Sequence, residues 1–145
     1  MRLVSASPAQ TERIGQALGR TLRPGAVVAL FGPMGAGKTV FVRGLAKALG
    51  CDEPILSPTF ALAHEHAGSI PLFHFDMFRL RSPEELFFIG WDDYLSRGGV
   101  CAVEWSENVL SALPPDCVRV RISPGDGENL RVIEIEGADD ENIIT

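Results

Sequence analysis

Between residues 30 and 44 the chain reads LFGPMGAGKTVFVRG, and no other stretch limits the possible folds as much. Gly32, Gly35 and Gly37 fall within six residues, although glycine weakens strands and helices alike. Such a cluster belongs where the backbone turns sharply or something approaches it closely. On one side lies AVVALF (26–31), a short β-branched apolar run of the kind buried in a parallel sheet. On the other, Phe41, Val42, Leu45, Ala46 and Leu49 recur at helical spacing until Gly50 closes the stripe. Strand, glycine loop and helix in that order open an α/β domain.

Gly32 to Thr39 fits the phosphate-loop pattern of spaced glycines followed by lysine and a hydroxyl residue. The spacing has a physical reason. Glycines let successive N–H groups, here those of Gly35, Ala36 and Gly37, turn inward around phosphate oxygens without side-chain clash. The helix that follows adds its unpaired N–H groups and the positive end of its dipole. Lys38 then reaches the β- and γ-phosphates of a nucleoside triphosphate, and the Thr39 hydroxyl binds magnesium. Lys38 and Lys47 are the chain's only lysines, which makes one placed directly behind Gly37 more telling.

Magnesium at such a loop needs a carboxylate, normally from the end of a buried strand. Asp76 after IPLFHF and Glu104 after VCAV both qualify, and spacing does not choose between them. Either carboxylate would equally serve as a helix cap. His64 and His66 share one strand face, as do His74 and Asp76. Whether the two pairs converge on a metal depends on hairpin register, and buried or surface histidines are the commoner outcome.

Elsewhere, Ser7-Pro8-Ala9-Gln10 forms a capping box, predicting a helix to about Leu22 with Ile14, Leu18 and Leu22 on one face. SPTFALAHEHAGSIPLFHFD predicts two strands around a turn at Ala67-Gly68-Ser69. Ser82-Pro83-Glu84-Glu85 is a second capping box, opening a helix to about Ile89. VCAVEW gives another buried strand, and Asn108 to Leu113 a short helix. CVRVRIS and LRVIEIE alternate apolar and charged residues around Pro124-Gly125-Asp126-Gly127, a hairpin with one wet face. The expected fold is a single α/β, P-loop NTPase-like domain. Its central, mostly parallel sheet carries helices on both faces and β-hairpin additions. The domain should span residues 1–137, with 138–145 a short acidic tail.

Composition narrows the functional classes. The 145 residues are 46% hydrophobic, enough for one substantial core. A formal net charge of −6 argues against autonomous nucleic-acid binding, which shows a basic footprint, so any RNA connection runs through a partner. No apolar run approaches the ~20 residues of a membrane helix, and MRLVSASPAQT lacks the apolar core of a secretory signal. Cys51, Cys101 and Cys117 suggest neither a disulfide frame nor a zinc knuckle. A reduced, cytoplasmic location is expected.

An N-terminal helix with Thr11, then GPMGAGKT, SPTF, HFDMFRL, EELFFIGWDDYL, VEWSEN and a final hairpin bearing Arg131 follow one another at characteristic distances. In this order they resemble the bacterial TsaE (YjeE) family, the ATPase needed to make threonylcarbamoyladenosine in tRNA. The likeness runs from about Ser7 to Gly137. It implies that Gly35, Ala36, Gly37, Lys38, Thr39 and Val40 cradle ATP, with Thr39 and Glu104 holding Mg2+. Asp76 matches a carboxylate important for hydrolysis, and Thr11 and Arg131 match nucleotide-contacting positions. Ser57-Pro58-Thr59 would form a switch-like loop with Thr59 facing the terminal phosphate. Read without the likeness, that stretch is a proline-forced turn entering a strand. Trp105 is either core or a sensor of the partner.

The chain departs from the family at Val40, where many members carry a second hydroxyl residue. Ser106 replaces a common proline and Phe78 a usual tyrosine. The resemblance further implies that the ATPase transfers no group itself. It acts on a TsaD–TsaB complex, which modifies the adenosine next to the anticodon, so tRNA contact is indirect and activity alone is weak. A small-molecule kinase would use the same loop, with Asp76 as base and Arg79 on the acceptor. A non-hydrolysing ATP-binding regulatory module is the third reading.

Overall fold

The structure, a computed structural model, describes residues 1–55, 63–138 and 143. It is an α/β domain built on a seven-stranded sheet in the order β1-β7-β6-β2-β5-β4-β3. The strands are β1 (Arg2–Ser5), β2 (Val27–Phe31), β3 (Ala63–His66), β4 (Leu72–Asp76), β5 (Val100–Glu104), β6 (Val118–Pro124) and β7 (Arg131–Glu136). The helices are α1 (Pro8–Gly19), α2 (Lys38–Ala48), α3 (Glu84–Phe88) and α4 (Trp91–Ser96). The central strands β6, β2, β5 and β4 run parallel, while β7, β1 and β3 add antiparallel edges. The P-loop NTPase-like expectation therefore holds, hairpins included.

Alternation along the strands sorts the core into two layers. Val28, Leu30, Leu72 and Ala102 face α1 and α2, whereas Val27, Ala29, Phe73 and Phe75 face α3 and α4. Covered on both sides, β2 is buried at all five positions, which is why it reads as an unbroken apolar run. The same parity puts His74, Asp76 and Glu104 on the α2 side, at the carboxyl end of the parallel strands. In open α/β sheets, ligands bind outside that end.

Helices α1 and α2 pack backbone against backbone. A Cβ built on Gly44 would lie 2.0 Å from the Glu12 carbonyl oxygen, and one on Gly15 would lie 2.3 Å from that of Phe41. This closeness brings Thr11, one turn before Gly15, beside Gly37 of the glycine loop. Alanine normally stabilises a helix interior by about 1 kcal/mol over glycine. Gly44→Ala should reverse that sign and destabilise by about 1–3 kcal/mol, because backbone must move to admit the methyl group. Urea unfolding measures the change; a stabilised variant would refute the close crossing.

Several local expectations need correction. Helix α1 stops at Gly19 rather than Leu22, because the Thr21 hydroxyl and N–H both turn onto the Leu18 carbonyl (2.7 and 2.9 Å). At α3 no capping box forms. Pro83 itself is the N-cap, and the Glu85 carboxylate accepts from Arg81 N–H (3.0 Å), not from Ser82. The helix expected over 108–113 is instead a pair of 3-10 turns, Ser106–Asn108 and Leu110–Ala112. Strand β1 and helix α4 were not foreseen. Of the expected tail, Ala138 packs on the first core layer and Ile143 is buried within it; the other tail residues lie outside the described residues. No helix among the described residues is long and apolar enough to cross a membrane.

Candidate functional site

The loop after β2 takes the shape its glycines permit. Gly32 has φ +145°, and a Cβ there would lie 2.2 Å from the Ile122 carbonyl oxygen on neighbouring β6. Gly35 (φ +77°) and Gly37 (φ +107°) occupy left-handed backbone that other residues rarely adopt. Gly37 is the N-cap of α2 and carries no side chain to cap it. The N–H groups of Lys38, Thr39 and Val40 therefore find no acceptor among the described residues, and they open where a helix concentrates positive potential. Ala36 N–H departs from this arrangement, donating to the Pro33 carbonyl at 3.2 Å.

Lys38, only 4% exposed, sends its ammonium back across the loop to the Gly32 carbonyl at 2.6 Å. Its Nζ also lies 3.5 Å from the centre of the Trp105 ring, a cation–π contact. Burial lowers the lysine pKa, opposed by the negative charges of Glu104, Glu107 and Asp76. Trp105 is the one non-glycine residue with positive φ (58°) among the described residues, at a backbone cost of about 1–2 kcal/mol. Its surroundings enforce it: Asn108 N–H donates to the Trp105 carbonyl, and Ser106 Oγ donates to the Val103 carbonyl at 2.7 Å. The ring also packs against Phe78, tilted by 52° with 5.0 Å between centres. Trp105 is thus half-buried between Lys38 and Phe78, neither plain core nor a free surface residue.

The two candidate carboxylates are register partners on adjacent parallel strands, and their environments separate them. Glu104, also 4% exposed, receives the Thr39 hydroxyl at 3.1 and 3.3 Å from its two oxygens, and His74 Nε2 lies against Oε2. Asp76 instead accepts from Phe78 N–H at 3.0 Å. Burial raises the Asp76 pKa; the Phe78 hydrogen bond opposes this and the Glu104 charge adds to it. The pairing of Glu104 with Thr39, which spacing left open, is set by the packing of α2 over β5. The hairpin register places His64 directly across from His74, but His74 turns to Glu104 while His66 Nδ1 lies 3.6 Å from Glu53 Oε2. Among the described residues no three metal-binding side chains cluster.

Beside the loop, a pocket of about 140 Å³ is lined by Thr11, Gly35, Ala36, Gly37, Val40 and Arg131, together with Ser7, Pro8 and Asn129. Thr11 comes from α1, held by a 2.7 Å hydrogen bond to Ser5 of β1. Arg131 comes from β7 and donates to the Ala36 carbonyl at 3.0 Å. Residues 11, 35–37, 40 and 131, far apart in sequence, so meet at one wall. Thr59 lies outside the described residues. The sequence raises His74 only as a metal ligand alongside His64, His66 and Asp76, not as a partner of Glu104, and Asn129 was not anticipated. The His-Phe-Asp spacing was a usable signal for the first, since i and i+2 share a strand face.

The family model described as "Threonylcarbamoyl adenosine biosynthesis protein TsaE" matches residues 5–133. The chain belongs to the TsaE family. A TsaE from Treponema pallidum is 46% identical over 122 residues, covering 84% of this chain and 90% of that protein. The Bacillus subtilis TsaE is 36% identical over 124 residues, covering 84% and 77%. Both are named tRNA threonylcarbamoyladenosine biosynthesis proteins. The crystal structure of Bacillus subtilis YdiB superposes with a TM-score of 0.78 at 29% identity, covering 98% of this chain and 88% of that one. Membership in TsaE agrees with the order of motifs from Thr11 to Arg131.

Proposed function

We propose that this protein binds ATP with magnesium and hydrolyses it in the biosynthesis of threonylcarbamoyladenosine in tRNA, acting on a TsaD–TsaB complex. One observation carries the reading. The N–H groups at the start of α2, unpaired among the described residues, the Lys38 ammonium and the Thr39–Glu104 pair all converge at the carboxyl end of the parallel strands. Phosphate suits the donors, and a hydroxyl beside a carboxylate is the oxygen donor set a hard divalent cation takes.

The chain's residues divide the work. The loop and the start of α2 bind the phosphates, and Lys38 supplies the compensating positive charge. Thr11, Val40 and Arg131 wall the pocket that receives the rest of the nucleotide. Thr39 and Glu104 hold magnesium, which supplies positive charge against the phosphate oxygens. Asp76 keeps one oxygen on Phe78 N–H, leaving the other for the proton of an attacking water. Its raised pKa makes it a better proton acceptor than an ordinary carboxylate. With a net charge of −6, the chain has little attraction for tRNA itself, so the modification reaction belongs to partners. Thr59, on the residue pattern of its family, would report the terminal phosphate to them.

The test compares ATP hydrolysis by the protein alone, with TsaD and TsaB, and with tRNA added. Turnover should be slow alone and rise in the complex, and repeated rounds of tRNA modification should require this chain. Modification that proceeds equally well without it, or with Glu104→Ala, would reject the proposal. A phosphorylated small molecule as product would establish the kinase reading instead.

A further inference from the structure

His74 is completely buried, on β4, two residues before Asp76 and on the same face of the sheet. Register pairs it with Ala102 and pairs Asp76 with Glu104, so His74 and Glu104 are diagonal neighbours across two parallel strands. Long side chains meet across such a diagonal. Here Nε2 of the imidazole meets Oε2 of Glu104. A carboxylate oxygen can only accept, so Nε2 carries the hydrogen in this contact.

The two partners of Glu104 approach from different places. Thr39 stands at the start of α2, at the mouth of the loop, while His74 lies one strand step deeper in the sheet. The Glu104 backbone is fixed as well, its carbonyl accepting from Met77 N–H at 3.0 Å. Without His74 the carboxylate would still be buried, and among the described residues only the Thr39 hydroxyl, the other group that would face the cation, would hold its oxygens. An unheld glutamate side chain has rotamer freedom that must be lost when it binds a cation.

We infer that His74 is a positioning residue: it locks the Glu104 carboxylate in the orientation that presents its outer lone pairs, with the Thr39 hydroxyl, to a divalent cation. The role rests on the magnesium–nucleotide reading above. Groups that hydrogen-bond a metal-binding carboxylate set its direction, and their loss typically weakens metal binding about 10- to 100-fold.

The experiment titrates the full-length protein with a fluorescent N-methylanthraniloyl-ADP, with magnesium and in EDTA, and with magnesium at fixed nucleotide. In His74→Phe, a ring of similar bulk without the donor, apparent magnesium affinity should fall about 10- to 100-fold while nucleotide affinity in EDTA stays the same. His74→Gln, whose amide nitrogen reaches about as far as Nε2, should recover most of it. His74→Asn, polar but too short, should not. This Gln–Asn comparison decides the matter even where the Phe variant fails to fold. In a Glu104→Gln background, His74→Phe should cause no further loss, since it acts through that carboxylate. Equal losses with and without magnesium, or no advantage of Gln over Asn, would overturn the inference. A wild-type protein whose nucleotide binding ignores magnesium would instead sink the magnesium–nucleotide reading itself.

Discussion

Lys38→Ala is expected to lower ATP turnover by about 10²–10³-fold, the range seen when one donor to developing charge is removed. ATP affinity should fall about tenfold or more, as expected for a lost charge-assisted hydrogen bond. The side chain is not idle before nucleotide binds: it bridges the Gly32 carbonyl and the Trp105 ring inside the fold. Its removal therefore affects stability too, but in two opposing ways. The cation–π contact is worth about 0.5–2 kcal/mol, whereas burial disfavours the charged lysine, as its lowered pKa shows. Thermal unfolding should accordingly shift little compared with the loss of binding. Isothermal titration with ATP and a phosphate-release assay check the two effects, and near-unchanged hydrolysis would refute the phosphate-loop assignment.

What could be read from the sequence follows the range of the interactions involved. The glycine loop, β2 and α2 were legible because a strand period, a turn and a helix period are local patterns, and the structure places all three as expected. The Ser7 cap is equally local, and its hydroxyl does accept from Gln10 N–H at 3.1 Å. Strand β1 was invisible because four residues carry almost no periodicity; it exists through pairing with β7, about 130 residues later (Arg2 opposite Glu134). The same limit applied to the carboxylates. Asp76 and Glu104 end equivalent strands, and only the packing of α2 over β5 gives Thr39 to one of them. Residue preference misled at α3, where Ser82-Pro83-Glu84-Glu85 has the letters of a capping box but Pro83 takes the cap position. Gly15 and Gly44 look like helix-weakening residues in isolation; their value appears only in the crossing of two helices.

The second large effect separates Glu104 from Asp76. Glu104→Ala removes the carboxylate that faces Thr39 and should abolish most of the magnesium dependence of nucleotide binding, with turnover falling at least about 10²-fold. Asp76→Asn keeps the shape of the side chain and the hydrogen bond from Phe78 N–H, yet removes the basic oxygen. Turnover should drop about 10²–10⁴-fold, as for loss of a general base, while magnesium-dependent binding stays within a few-fold. The pH profile offers an independent check. A base must be deprotonated to act, so turnover falls as pH drops through the pKa of Asp76. Burial and the nearby Glu104 charge raise that pKa, so the acid limb should lie above the ordinary carboxylate range and vanish from the residual activity of Asp76→Asn. Stepwise measurement of fluorescent nucleotide binding against magnesium, followed by single-turnover hydrolysis, separates binding from chemistry. Metal affinity lost at position 76 and kept at position 104 would exchange the two roles. The Thr39–Glu104 contact would then be a structural hydrogen bond, with magnesium held one strand further along the sheet.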